Sequence, residues 1–127
     1  MSETKPSLYE QIGGEAGIAS MVDDFYERVL ADPELEPFFK HVPMDRLNRM
    51  QREFFSAATG GPAEFTGKPL SHVHQNIGIT IRHFQRFTEH LIETLEERDI
   101  DEKEILDLIS RVNVYADEIT GSSSVDG

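Results

Sequence analysis

The chain has 127 residues, 38% of them hydrophobic, and carries Asp+Glu 24 against Lys+Arg 12, a net charge of −12 with no cysteine. Length and apolar content support one ordinary domain rather than a disordered chain, and the acidity excludes a phosphate-binding surface built on Lys and Arg. The missing thiols exclude disulfides, thiolate metal sites, iron–sulfur ligation, thiol nucleophiles and haem attachment through a C-x-x-C-H segment.

The polar start, MSETKPS, holds no apolar signal-like run, and no stretch approaches a membrane span. The expectation is a soluble, cytoplasmic protein with neither a nucleic-acid nor a membrane partner. Residues 1–7 and the tail 121–127 read as flexible ends around one domain over 8–120. After Gly13-Gly14, the apolar residues Ile18, Met21, Val22, Phe25 and Val29 recur at helical spacing, and this helix stops before Asp32-Pro33. A short turn, ELEPFF, brings Phe38 and Phe39 together before Pro43. Leu47, Met50, Phe54 and Phe55 mark a second helix, closed by Gly60-Gly61-Pro62. Segment 60–71 holds three glycines and two prolines and is predicted to be a loop. A brief run with His72 and His74 leads to a third stripe of Ile81, Phe84, Phe87, Leu91 and Leu95. Asp101 with Glu104 resembles a capping box, opening a fourth stripe of Ile105, Ile109, Val112, Ala116 and Ile119. No window alternates with the period of a strand. The predicted class is all-α, with four main helices.

Three site patterns fail on spacing. The run Gly61–Pro69 is one residue too long for a phosphate loop, and Pro69 stands where Ser or Thr would bind magnesium. No histidine has a Glu three places before it, as a helical di-iron site wants. The acids from Glu93 to Asp107 lack calcium-loop spacing and read as a solvated helix end.

Two polar residues interrupt the apolar stripes. Tyr26 follows Phe25 in the first, and Gln51 lies between Met50 and Phe54 in the second. A buried hydroxyl or amide needs a partner, since leaving one unpaired costs about 1–3 kcal/mol. Either they pair with each other or with backbone, or they converge on a polar atom of a ligand. Among the histidines, His83 and His90 share what reads as a solvated flank, His41 lies in a loop, and His74 has apolar neighbours in Val73 and Ile77.

Taken together, the segments LYEQIGGEAGI, DDFYERVLADPELEPFF, FFSAATGGPAEFTGKPL and VHQNIGIT resemble a truncated haemoglobin, most similar to the group I class. The likeness spans Leu8 to about Thr120, and the absence of Trp suits group I better than groups II and III. The resemblance implies a truncated globin fold, a two-over-two α-helical sandwich around haem b (iron protoporphyrin IX). His74 resembles the proximal iron ligand, which leaves the opposite face open for a gas. Tyr26 resembles the distal tyrosine and Gln51 the second distal donor, while Leu47 matches the position where vertebrate globins keep a distal histidine. Phe39 resembles the phenylalanine that packs flat on the haem. Phe55 resembles an aromatic that gates an apolar tunnel in some members, with plain core packing as the alternative. Met50 stands where relatives carry a basic residue that reaches a haem propionate, or a histidine that ligates iron. Arg46, Arg49 or Lys68 would then have to reach the propionates. Phe65 fills a loop position where relatives often have tyrosine.

What the resemblance implies for function is reversible binding of O2, NO and CO, as in oxygen transport. Conversion of NO to nitrate, a detoxifying dioxygenase activity, stays open, and would need an unidentified reductase as partner. The alternative is a six-coordinate haem protein for electron transfer or sensing, with Met50 or His41 as second axial ligand. The −12 charge suggests a redox partner with a basic face. The chain itself is expected to be a monomer or weak dimer.

Overall fold

A computed structural model describes residues 6–62 and 78–116, and among them lie five α-helices and one 3-10 turn. They are α1 (Leu8–Ile12), α2 (Gly14–Ala31), the turn Glu36–Phe39, α3 (Met44–Ala58), α4 (Ile81–Glu96) and α5 (Glu102–Asn113). No strand occurs among the described residues.

The stripe of α2 does what its spacing predicts: Ile18, Met21, Val22, Phe25 and Val29 are buried. Apolar side chains on so wide an arc give the helix several faces to cover. Accordingly α2 packs against α1, α3, α4 and the 3-10 turn. Helix α5 packs on α4, so the helices form two pairs, α2 with α3 and α4 with α5, joined through α2 and α4.

Helix α1 is too short to show a stripe. It is nucleated by a capping box instead: Ser7 Oγ accepts from the Glu10 backbone N–H, and the Glu10 carboxylate accepts from the Ser7 N–H. Ser7, assigned by sequence to a flexible end, is therefore a structured cap. Gly13 turns the chain from α1 into α2 at φ 117, a left-handed conformation that side chains rarely adopt. At Gly17, a Cβ would lie 2.1 Å from the Ile12 carbonyl oxygen, so only glycine lets the two helices approach this closely. The far end of α1 is tied to α3 by the Tyr9 N–H, which donates to the Thr59 carbonyl at 2.9 Å.

Several expectations are corrected by the packing. Ile81, placed by spacing on the third stripe, is 49% exposed because it is the first residue of α4 and projects beyond the packed turn. Asp101 does precede α5, but its side chain makes no capping bond; its backbone carbonyl takes the Glu104 N–H instead. The buried centre of α5 includes Leu108, between Ile105 and Val112, while Ile109 is only partly buried. Ile119 lies outside the described residues.

Candidate functional site

Tyr26 sits on the buried side of α2, only 5% exposed, inside a cage of aromatic rings. The Phe25 centroid is 5.0 Å away, that of Phe39 5.8 Å and that of Phe87 6.3 Å, the latter two edge-on. Such tilted and T-shaped pairs are the favoured aromatic arrangement. Phe39 arrives from the 3-10 turn and Phe87 from α4, so three separate elements meet at this phenol. Burial pushes the Tyr26 pKa well above its ordinary 10.0 and keeps the hydroxyl protonated, a standing hydrogen-bond donor. Among the described residues that hydroxyl makes no hydrogen bond.

Helix α3 supplies the second wall. Leu47, Gln51 and Phe55 follow one another at four-residue spacing and so share a face. Phe55 is 1% exposed and meets Phe25 edge-on at 6.1 Å, which fixes this face against α2. Leu47 packs against the core, Met50 is half-buried, and so is Gln51. The Gln51 amide, like the Tyr26 hydroxyl, forms no hydrogen bond among the described residues, and the two do not pair with each other. On the outer side, Asn48 Nδ2 donates to Asp23 Oδ1 at 2.9 Å and ties α3 to α2.

Two unpaired polar groups set among aromatic and aliphatic side chains suit a specific ligand type. They fit a large, mostly apolar group with a polar centre, because the rings cover the former and the donors answer the latter. The donor set found here is thus compatible with the haem pocket that the resemblance implies.

The remaining site candidates are dispersed. Arg46 is exposed on α3, and His41 is exposed ahead of it. His72, His74, Phe65 and Lys68 lie outside the described residues. Two features escaped the sequence reading. Phe87 was visible only as a stripe residue, and nothing marked it as a neighbour of Tyr26. The second is a charged cluster at the end of α2. The Asp32 side chain is 2% exposed; its Oδ2 lies 2.8 Å from Arg86 Nε and 2.8 Å from His90 Nε2. Its Oδ1 accepts from the Glu34 backbone N–H at 2.9 Å. Burial alone would raise the Asp32 pKa, but the bonds from His90, the Glu34 backbone and Arg86 outweigh it and hold the carboxyl at about 2. His90 therefore is no solvated flank residue. His83, on the same helix, is half-buried and engaged too: its Nδ1 accepts from the Thr80 N–H, and its ring meets Phe38 at 4.8 Å.

Comparison with known proteins gives a consistent picture. The family model described as bacterial-like globin matches residues 7–120. A group 1 truncated hemoglobin, GlbN, of Mycolicibacterium paratuberculosis is 40% identical over 113 residues, covering 89% of this chain and 83% of its own. The GlbN of a Synechocystis species is 35% identical, covering 87% and 89%. Among solved structures, the truncated hemoglobin of Tetrahymena pyriformis in its Fe(III) form superposes with a TM-score of 0.84 at 29% identity, over 90% of this chain and 97% of that one. The 2/2 hemoglobin of a Synechococcus species, in the cyanomet state with covalently attached heme, gives 0.84 at 31% identity, over 91% and 99%.

Proposed function

This chain belongs to the bacterial-like globin family, within its group 1 truncated haemoglobins, and we propose that it holds haem b through His74 and binds O2 reversibly beside Tyr26 and Gln51. It has the two-over-two globin fold, takes haem as cofactor and is a haem-based gas-binding protein. The observation that carries the finer reading is the placement of Tyr26, 5% exposed and ringed by Phe25, Phe39 and Phe87 from three elements.

When bound, haem would supply an iron able to take both a neutral imidazole and a small gas. His74 is the residue proposed to give that imidazole. Phe39 and Phe87 beside Tyr26, with Leu47 packed on the core, would keep water away from the phenol, which strengthens any hydrogen bond made there. The Tyr26 hydroxyl would donate its O–H to the electron-rich end of a gas held there. The Gln51 amide offers a second N–H from α3. Both donors are held by packed helices, so little ordering is required when a gas arrives. Arg46 and Lys68 remain the cations proposed for the haem propionates.

A hydrogen bond to a charge-bearing acceptor is worth about 1.5–3 kcal/mol, which corresponds to about ten- to a hundredfold in dissociation rate. Loss of the hydroxyl in Tyr26→Phe is therefore expected to speed O2 dissociation at least tenfold in stopped-flow displacement by CO. An unchanged rate would show that Tyr26 does not touch the gas.

A further inference from the structure

The described cations are not used evenly. Arg28, Arg52, Arg82, Arg86, Arg98 and Arg111 each reach a carboxylate. Besides the isolated Lys103 of α5, the neighbouring Lys40, Arg46 and Arg49 have no ion-pair partner among the described residues, although the chain carries twice as many acids as bases. These three are exposed, and with Arg52 they fall in segment 40–52, where Asp45 is the sole acid. That segment has a net charge of +3 in a chain of −12. Arg46 and Arg49 stand three residues apart and exposed on α3, while Leu47 and Gln51 on the same helix are half-buried and share a face with buried Phe55. Arg52 is drawn towards Asp23 at 4.0 Å and Arg46 is the cation proposed above for a haem propionate, so the free charge is centred on Lys40 and Arg49.

We propose that this basic ridge is the docking face for a small acidic electron-carrier protein, bearing a reduced flavin or iron–sulfur centre, that returns ferric haem iron to the ferrous state. The inference rests on the haem-globin reading above. Charge complementarity selects the partner: an acidic carrier is attracted here and repelled by the acidic remainder of the surface, so encounter is both steered and oriented. Location gives the purpose, because a carrier seated on α3 lies one helix thickness from the pocket lining. One electron leaves the carrier and one enters the iron, and no bond is made or broken. The net charge alone pointed to a basic partner; the local charge beside the pocket reverses that expectation. A long polyanion such as a nucleic acid would extend from the ridge onto acidic surface, which disfavours it.

The test uses the haem-loaded, ferric protein and two reductants, a reduced acidic flavodoxin and free reduced riboflavin. The readout is the ratio of the two reduction rates at 20 and 500 mM salt, with flavodoxin affinity measured in parallel by calorimetry. For the wild type, the ratio is expected to fall at least tenfold at high salt. In Lys40→Glu/Arg49→Glu it should be at least tenfold lower at 20 mM, with the salt dependence lost and calorimetric binding abolished. Lys103→Glu makes half that charge change on α5 and should leave the ratio within twofold of wild type. A wild-type ratio that rises with salt, an unaffected double variant, or an equal loss in Lys103→Glu would overturn the proposal. So would binding to phosphatidylglycerol vesicles without affinity for flavodoxin. A chain that takes up no haem, seen in its absorption spectrum, fails the globin reading; a haem-loaded chain with a salt-indifferent ratio fails the docking proposal alone.

Discussion

Tyr26 lies inside α2 and Asp32 caps its C-terminus, and burial perturbs both, yet only the carboxylate is surrounded by polar partners. For Tyr26 the folded pKa is raised above the ordinary 10.0. Its contribution to stability is therefore complete below about pH 10 and is lost as pH rises beyond it, because the unfolded chain ionises first. Alkaline thermal melts should show this loss in wild type, and Tyr26→Phe should flatten it. For Asp32 the sign is opposite. Its folded value of about 2 lies below the ordinary 3.8, so its stabilisation is present above about pH 4 and fades as pH falls towards 2. Removing the charge in Asp32→Asn leaves Arg86 and His90 facing a neutral amide. The expected cost is about 3 kcal/mol at neutral pH, as for a broken buried pair, with a weaker acid dependence of the melting temperature. Tyr26 and Gln51 were legible in the sequence because each breaks an apolar stripe. Asp32 was not: before a proline it reads only as a helix stop, and its side-chain partners Arg86 and His90 lie more than fifty residues away.

The long elements were legible because a buried helix must repeat its apolar residues every three or four positions, and α2, α3, α4 and α5 all do so. Helix α1 was missed, since five residues cannot display a period, although the Ser7 and Glu10 capping pair was there to be read. Spacing also says nothing about where along a stripe the packing ends, which is why Ile81 came out exposed and Leu108 buried. The junction of α1 and α2 offers a sharp test at this scale. Alanine at Gly17 would place its Cβ against the Ile12 carbonyl oxygen, and the two helices would have to separate. Gly17→Ala is expected to cost about 2 kcal/mol in urea unfolding, in the range of core overpacking, despite the better helix propensity of alanine. A neutral or stabilising effect would mean that the close approach contributes nothing.

Across the whole molecule, two helix pairs bring Tyr26 and Phe25 of α2, Phe55 of α3 and Phe87 of α4 into one aromatic cluster. Membership in the truncated globins explains why a chain without cysteine would rely on histidine for its iron. Among the described residues, no helix is long and apolar enough to cross a membrane. The charge pattern was hidden in the sequence total, because −12 is a sum and docking responds to what is near. The choice of His74 over the other histidines came from family likeness and its apolar neighbours, and it is the assignment on which the proposed gas chemistry depends. Its most direct test is the absorption spectrum of the ferrous, haem-loaded protein in wild type and in His74→Gly. Wild type should show a five-coordinate high-spin spectrum, and the variant should lose it and regain it when free imidazole is supplied. A variant whose spectrum matches wild type without imidazole, or a gas-free wild type that is already six-coordinate and low-spin, would contradict His74 as sole axial ligand.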